Sequence, residues 1–327
     1  MVCEAIDSVL AQTVRPAQVI VVDDGSITAT GDALARYGDK IIYHYKPNAG
    51  LSAARNTGIR LSTQPYIAFL DDDDVWAPRK TELQMECLLR DPDIGMIATR
   101  SFDWPCESFP QAPLSIDNLL HPVTWEQLVV QTLIPVASVI VRRDVVERVG
   151  DFDVALRSSE DREFFLRVAE VAKVAILEAP LSGYRDTPGS MCKQADGRES
   201  MMREILRRLD RRDAWRGRRA LRRKAFSYMH MVCADAQSRA GNHAGAIRRL
   251  VQSLIYHPFP YARDEVRMRY ERPKRLAVNV LRAAGLKKSD AAATGRKQPS
   301  PNALRESAAN QSPGTNTSGA RPNVGMD

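Results

Sequence analysis

The sequence lacks several features that would place it in familiar classes. Its five cysteines are scattered and form no Cys-x-x-Cys pair, which argues against a disulfide framework and against a zinc site. It contains no run of about 18 apolar residues, so no membrane-spanning helix is predicted. The first residues also lack the basic-then-apolar pattern of a secretion signal. A reducing cytoplasm is therefore the expected location.

Charge is present in quantity but is unevenly distributed along the 327 residues. The net charge is +7, and arginine dominates residues 198–282, whereas acidic residues concentrate in the first two-thirds. Little apolar content follows residue 287, which is typical of disorder. We therefore predict three parts, which are an α/β domain over 1–197, a basic helical extension over 198–286 and a disordered tail over 287–327.

Helical and strand patterns alternate through the first part of the chain. Short β-branched runs at residues 19–22, 41–45 and 66–70 are separated by helical patterns, and further strands are predicted at 94–99, 137–141, 174–177 and 181–185. Helices are predicted at 143–149 and 160–170, and a proline-rich loop at 101–122. This order predicts an α/β fold with a mostly parallel, Rossmann-like sheet flanked by helices.

Two of these strands end in clusters of carboxylates, Asp23-Asp24 and the run from Asp71 to Asp74. Four adjacent charges are too expensive to bury unpaired, so they must face water or a cation. In open α/β sheets the carboxyl ends of the strands bind ligands, and oxygen ligands suit Mg²⁺ or Mn²⁺. The alternative is a pair of solvated acidic turns that cap the following helices.

Four motifs in order carry a resemblance to a known family. They are Asp23-Asp24-Gly25-Ser26, the stretch from Asn48 to Gly58, Phe69-Leu70 with the four aspartates, and Ser159-Glu160-Asp161. Over roughly residues 4–192 the chain resembles family 2 glycosyltransferases of the GT-A type. The resemblance implies a nucleotide-diphosphate sugar donor, most simply a UDP-sugar, with Mg²⁺ or Mn²⁺ as the cofactor.

The resemblance assigns the donor side of the site to the first two motifs. Asp24 matches the aspartate that contacts the nucleotide base or ribose, and Asp23 belongs to the same pocket. Arg55 matches a recurrent basic position that meets the diphosphate. The alternative for Arg55 is an ion pair at the surface.

The four aspartates match the family's Asp-x-Asp motif. Asp73 corresponds to the metal ligand together with Asp71, and Asp71 or Asp72 to the contact with sugar or ribose. Because the four are consecutive, the register stays open, and Asp72 and Asp74 are also candidate ligands.

Asp161 matches the catalytic base of the family, and Glu160 would support or orient it. An acceptor hydroxyl becomes a good nucleophile only when a carboxylate removes its proton, and one in-line displacement then inverts the anomeric carbon. The alternative is a helix start decorated with acids, which the helix dipole favours.

The sequence departs from the family pattern in two places. Family members usually begin with an apolar strand and Pro-x-Tyr-Asn, whereas this sequence begins in the following helix, so neighbouring strands are expected to lack ladder partners. Family members also often carry a histidine near the metal where Thr187 lies, and Asp186 is a candidate substitute.

Three hypotheses follow. The first is a metal-dependent inverting glycosyltransferase of cell-envelope or exopolysaccharide synthesis that acts on a glycan or lipid-linked acceptor, with its basic helices on an anionic membrane at the inner face. The alternative for these helices is that they pack on the catalytic domain. The second is a non-catalytic nucleotide-sugar binder or an inactive remnant. The third, nucleic-acid binding, rests on arginine density alone and is not expected.

Overall fold

The computed structural model describes residues 1–27, 30–105, 108–131, 134–187, 195–261 and 271–286, and the side chains of 195–198 and 271 are left aside. The predicted tail over 287–327 lies outside the described residues. The rest of the chain up to Lys287 forms one compact unit.

Strands and helices are interspersed up to residue 185, and the described residues after it form helices but no strand. Strands β1 to β8 are Ile20–Asp24, Ile42–Lys46, Tyr66–Ala68, Val75–Trp76, Ile94–Trp104, Leu120–Val123, Ile140–Arg142 and Lys173–Arg185. Helices α1 to α11 are Val2–Leu10, Thr30–Leu34, Leu51–Leu61, Lys80–Arg90, Trp125–Val130, Arg143–Val149, Glu160–Val171, Ala195–Arg211, Arg219–Arg239, His243–Tyr256 and Glu271–Ala283. Short 3₁₀ helices cover Ala35–Lys40 and Val136–Ser138.

The strands form two sheets rather than one. β1 and β2 pair in parallel, while the larger sheet has the order β3-β7-β5-β8-β4, with β6 added on β8. Within the described residues β1 pairs only with β2 and β3 only with β7.

The α/β fold class is confirmed, with one correction to the expected pairing. β5 and β8 run parallel, but β3–β7, β5–β7, β4–β8 and β6–β8 are antiparallel, so the larger sheet is mixed rather than mostly parallel. Local periodicity indicates which segments are strands, whereas their pairing depends on distant parts of the chain.

Several predicted boundaries in the larger sheet were wrong. The strand predicted at 137–141 is a 3₁₀ helix over Val136–Ser138 followed by β7. The strands predicted at 174–177 and 181–185 form the single strand β8, because the bulged pairing with β5 passes through Pro180. β5 continues to Trp104 and β6 begins at Leu120, so the irregular segment is shorter than the predicted loop over 101–122. By contrast, the predicted helix at 143–149 matches α6.

The arginine-rich helices share a hydrophobic core with the α/β part. One core cluster joins Val129 of α5 and Phe165 of α7 with Leu206 of α8 and Phe226 of α9. Ion pairs reinforce this contact, because arginines of the extension meet acids of the first part in Arg212–Glu170, Arg208–Asp153 and Arg218–Glu126. These helices therefore pack on the rest of the chain, as the alternative stated above expected.

Among the described residues, no helix combines the length and the apolar character needed to cross a bilayer.

Candidate active site

The carboxylates at the end of β1 are held by hydrogen bonds from the chain itself. Asp24 accepts from Lys46 Nζ and from the backbone amides of Ala49 and Gly50, at 3.0 and 2.7 Å for the two amides. Burial alone would raise the pKa of Asp24, but these hydrogen bonds bring it below the usual value. Asp24 thus anchors the chain at the start of α3, where backbone amides lack helical partners.

Asp23 is held in the same way. Its two carboxylate oxygens accept from the Ser26 backbone amide and from the Tyr43 hydroxyl, both at 2.8 Å. Burial opposes the charged form, and the two hydrogen bonds more than offset it, so the pKa of Asp23 is lowered. Both predicted donor-pocket aspartates therefore have a structural part in the fold of residues 20–50.

Arg55 of α3 is the link between the acidic motifs. Its Nη1 lies 2.6 Å from Glu160 Oε1 and its Nη2 lies 2.9 Å from Asp71 Oδ1, and the side chains of Arg55 and Glu160 are both buried. The alternative of a surface ion pair is wrong, since Arg55 is 9% exposed. The structure brings together three sequence motifs here, at the centre of the candidate site.

The four aspartates after β3 point in different directions. The Asp71 carbonyl accepts from the Asp74 N–H at 3.2 Å and closes a tight turn. The Asp71 side chain faces Arg55. Asp73 Oδ2 accepts from the Thr187 hydroxyl at 3.1 Å. Asp74 is buried, and its carboxylate accepts from the backbone amide of Arg185 at 3.0 Å. Asp74 therefore ties the acidic loop to the end of β8.

Charge crowding and burial make this loop electrostatically unlike the β1 end. Burial, with help from Asp71 and Asp73, raises the pKa of Asp74 to about 7 although Arg185 opposes the shift. Desolvation and the neighbouring charges of Asp73 and Asp71 also raise the pKa of Asp72, although this residue is exposed and the charges are the better-supported cause. The loop thus holds negative charge that the chain compensates only in part.

Asp161 occupies the first turn of α7. Ser159, which precedes the helix, has the left-handed backbone angles φ 58° and ψ 21°, uncommon for a residue other than glycine. Desolvation, reinforced by the Glu160 carboxylate and opposed by Arg55, raises the pKa of Asp161 to about 6. Its Oδ1 accepts from the Arg162 amide at 2.7 Å. A carboxyl group of this pKa is well matched to proton transfer near neutral pH.

The donor set of the acidic loop fits a hard divalent cation held jointly with a ligand. In the described ranges no three His, Cys, Asp or Glu side chains converge on one point. Mg²⁺, however, typically takes one or two carboxylates and fills its remaining positions with water and substrate phosphates. Asp73, with the Thr187 hydroxyl beside it, supplies oxygen donors of that kind.

The sequence reading missed one residue of this site. Arg185, the last residue of β8, donates from its backbone to Asp74, from Nε to the Asp73 carbonyl at 2.9 Å and from Nη2 to Glu4 at 2.9 Å. The available signal was an arginine at the carboxyl end of a predicted strand in a chain with four adjacent aspartates. The hydrogen bonds described above for Asp23 and Asp24 do not join either carboxylate to the acidic loop.

Comparisons with known proteins point to one family. Residues 1–149 match the model of the family described as glycosyl transferase family 2. Similar curated proteins include an uncharacterized glycosyltransferase of Rickettsia prowazekii, 32% identical over 181 residues, covering 52% of this chain and 55% of that protein. The uncharacterized glycosyltransferase EpsJ of Bacillus subtilis is 31% identical over 199 residues, covering 58% of each. The chain thus spans little more than half the length of these relatives.

Two solved structures share the fold at low sequence identity. S. aureus TarS has a TM-score of 0.51 and 14% identity, over 91% of this chain and 53% of that one. The mannosyltransferase PcManGT from Pyrobaculum calidifontis, solved with GDP-Man and Mn²⁺, has a TM-score of 0.52 and 15% identity, over 87% and 82%. Through its first 149 residues, the chain is similar to glycosyl transferase family 2.

Proposed function

We propose that the protein transfers a sugar from a nucleoside diphosphate donor to an acceptor hydroxyl, with inversion at the anomeric carbon. The observation that carries this proposal is the Asp71–Arg55–Glu160 bridge, which holds the acidic loop next to the helix that presents Asp161. Donor-side and acceptor-side carboxylates are thereby held in one site. The match of residues 1–149 to glycosyl transferase family 2 supports the same reaction class.

Asp161 is the proposed general base. It takes the proton of the acceptor hydroxyl while that oxygen bonds to the anomeric carbon, and the bond from this carbon to the diphosphate breaks with its electron pair. The pKa of about 6 leaves Asp161 mostly ionised at neutral pH while keeping it basic enough to accept the proton.

The donor diphosphate is placed at the acidic loop, where Asp73 and Asp71 would hold Mg²⁺ or Mn²⁺ and Asp72 would meet the sugar or ribose. A bound cation supplies stabilisation of the charge that develops on the departing diphosphate. Asp24 and Asp23 would meet the nucleoside with carboxylate edges that the chain has already oriented.

Arg55 is proposed as a positioning residue rather than as a diphosphate contact. Both of its terminal nitrogens already meet carboxylates, and its side chain is buried between them. Its charge balances Asp71 and Glu160, and it restrains the upward shift in the pKa of Asp161.

The partners are proposed by chemistry. UDP-sugars are the first donors to test, as the sequence resemblance implies. GDP is the natural comparison, because PcManGT, with a similar fold, was solved with GDP-Man. The acceptor is proposed to be a glycan or a lipid-linked glycan of envelope or exopolysaccharide synthesis, met at an anionic membrane surface. Nucleic acid is not a proposed partner, since several arginines of the extension are already bound to acids.

The deciding experiment is calorimetric titration of UDP and of GDP into the full chain, with and without Mn²⁺. It is repeated on D73A and on the matched control D93A, because Asp93 is exposed and pairs with Lys173 at 2.7 Å, outside the site. We expect binding to depend on Mn²⁺ and to be lost in D73A but kept in D93A.

Two results would change the proposal. Binding that survives D73A unchanged would remove the cation from this loop. Nucleotide binding together with no transfer or donor hydrolysis for any sugar tested would favour the alternative of a non-catalytic binder.

A further inference from the structure

Helix α11 exposes apolar residues on the outer side of the molecule. Val280 and Leu281 are 48% and 43% exposed, and Leu286, just beyond the helix, is 77% exposed. Ala277 and Ala284 lie on the same face at helical spacing and are also exposed. A helix that packs on a globular core normally turns its apolar face inward. These five residues are called the outer face below.

The inner side of α11 is largely polar. Arg272 is 2% exposed and donates to the Ser227 hydroxyl at 3.1 Å and to two backbone carbonyls. Arg275 pairs with Asp235 at 2.6 Å, and Asn279 is 4% exposed. A buried guanidinium without partners would be very costly, so these contacts dictate how α11 is oriented.

One apolar residue of α11 does turn inward. Leu276 packs against Ala234, Ala246 and Leu250 of the helices beneath it. The single contact leaves the larger apolar set of the outer face without a role in the core. The orientation that satisfies Arg272 therefore exposes Val280 and Leu281.

The charge around the outer face is of one sign. Lys274 is exposed on the same side as Leu281 at helical spacing, and residues 272–286 contain no acidic residue. A basic helix with an apolar face is typical of segments that lie in the interface of a membrane. Basic residues near an anionic bilayer are attracted by the negative charge of its surface.

Exposed apolar residues recur in the neighbouring helix α10. Val251 and Ile255 are 43% and 67% exposed on one face, with the exposed Arg248 one turn earlier, and Phe259 follows at 70%. Six of the eighteen large apolar residues exposed in the described part of the chain lie between residues 251 and 286. The apolar surface is thus concentrated in this region.

We propose that the outer face of α11 docks the protein on an anionic membrane surface. Val280 and Leu281 would enter the interface while Lys274 meets lipid head groups. A second copy of the chain is the less suitable occupant, because a symmetric contact would bring the Lys274 side chains of both copies to the same interface with no acidic partner from residues 272–286. The proposal rests on the proposed function in expecting an acceptor at a membrane, but it uses no residue of the active site.

The test is flotation of the full chain with vesicles of phosphatidylcholine alone or with phosphatidylglycerol added. V280E/L281E is compared with L89E/L114E, which makes the same charge change at residues 68% and 93% exposed elsewhere. V280S/L281S removes the apolar contact without changing charge. We expect flotation with the anionic vesicles only, a fall of about tenfold or more in partitioning for V280E/L281E, a smaller fall for V280S/L281S and little change in the control.

Nucleotide titration and sedimentation of the same variants separate the possible results. Lost flotation with unchanged nucleotide binding in V280E/L281E supports the docking surface. Failure of the unchanged chain to float with anionic vesicles, or equal flotation of V280E/L281E and L89E/L114E, overturns it. If the unchanged chain does not float but forms a dimer, and V280E/L281E dissociates that dimer, the outer face would instead bind a second copy. Flotation without any nucleotide binding would support docking and count against the proposed function.

Discussion

The acidic residues of the site form two groups that the protein treats in opposite ways. At the end of β1, the chain surrounds Asp23 and Asp24 with donors, and the pKa of each is lowered. Around Arg55, burial and neighbouring carboxylates raise the pKa of Asp74 to about 7 and that of Asp161 to about 6. The hydrogen bonds of the first group contribute to folding. In the second group the ionised carboxylates are disfavoured by burial and neighbouring charge, which is unfavourable for stability and typical of functional sites.

The largest effect should come from removing the proposed base. In D161N the rate of sugar transfer is expected to fall by about 10²–10⁴, because an amide does not accept the acceptor proton. At pH 7 the variant should be at least as stable as the unchanged chain, since it removes a carboxylate whose charged form burial disfavours. Steady-state transfer rates and chemical denaturation measure the two quantities.

The matched control is D151N, because Asp151 is exposed and pairs with Arg60 at 3.5 Å. Its transfer rate should stay within about twofold of normal, as is usual for a surface change. Equal rates in D161N and the unchanged chain would contradict the functional role assigned to the second group of carboxylates.

The next largest effect concerns the Asp71–Arg55–Glu160 bridge around which the second group of carboxylates lies. In R55M the buried Glu160 loses its ion partner, and breaking a buried pair typically lowers the free energy of unfolding by about 3–5 kcal/mol. The double variant R55M/E160Q should recover part of this loss, because it removes the unpaired charge. Urea denaturation at pH 7 measures all three proteins.

R60M on the same helix is the control. Arg60 is 60% exposed, so its ion pair should contribute no more than about 1 kcal/mol. If R55M were as mild as R60M, the Asp71–Arg55–Glu160 bridge would not hold the site together.

The third prediction concerns pH. Transfer requires ionised Asp161, so the rate should fall about tenfold per pH unit below pH 6. Because the Glu160 charge raises the pKa of Asp161, E160Q should move this acid limb to lower pH. E163Q, which changes an acid paired with Arg167 at 2.9 Å, should leave the limb in place. An acid limb near pH 4 in the unchanged chain would contradict the assignment.

The sequence predicted the local parts of this arrangement better than the distant contacts. Short-range patterns predicted α6 and the start of α7, because helix starts depend on neighbouring residues. The resemblance pointed to Arg55 and to Glu160-Asp161, but the contact of Arg55 with both acidic motifs requires the fold. The role of Arg185 was not predicted, since it depends on the antiparallel pairing of β4 with β8, and strand pairing is not a local property.

The smallest effect is expected in the first group and concerns stability more than rate. D24N keeps the shape of the side chain but weakens its hydrogen bonds to Lys46 and to the amides of Ala49 and Gly50, so the free energy of unfolding should fall by about 1–2 kcal/mol. The folded-state pKa of Asp24 is lowered, so its stabilisation is present above the unfolded value of about 3.9 and is lost as pH falls through the folded value. The difference between D24N and the unchanged chain should therefore be full at pH 6 and shrink steadily below pH 4. D39N, at an exposed position, should show no such difference at either pH. A D24N variant that lost transfer as severely as D161N while keeping its stability would place both carboxylate groups in the chemistry and end the distinction between them.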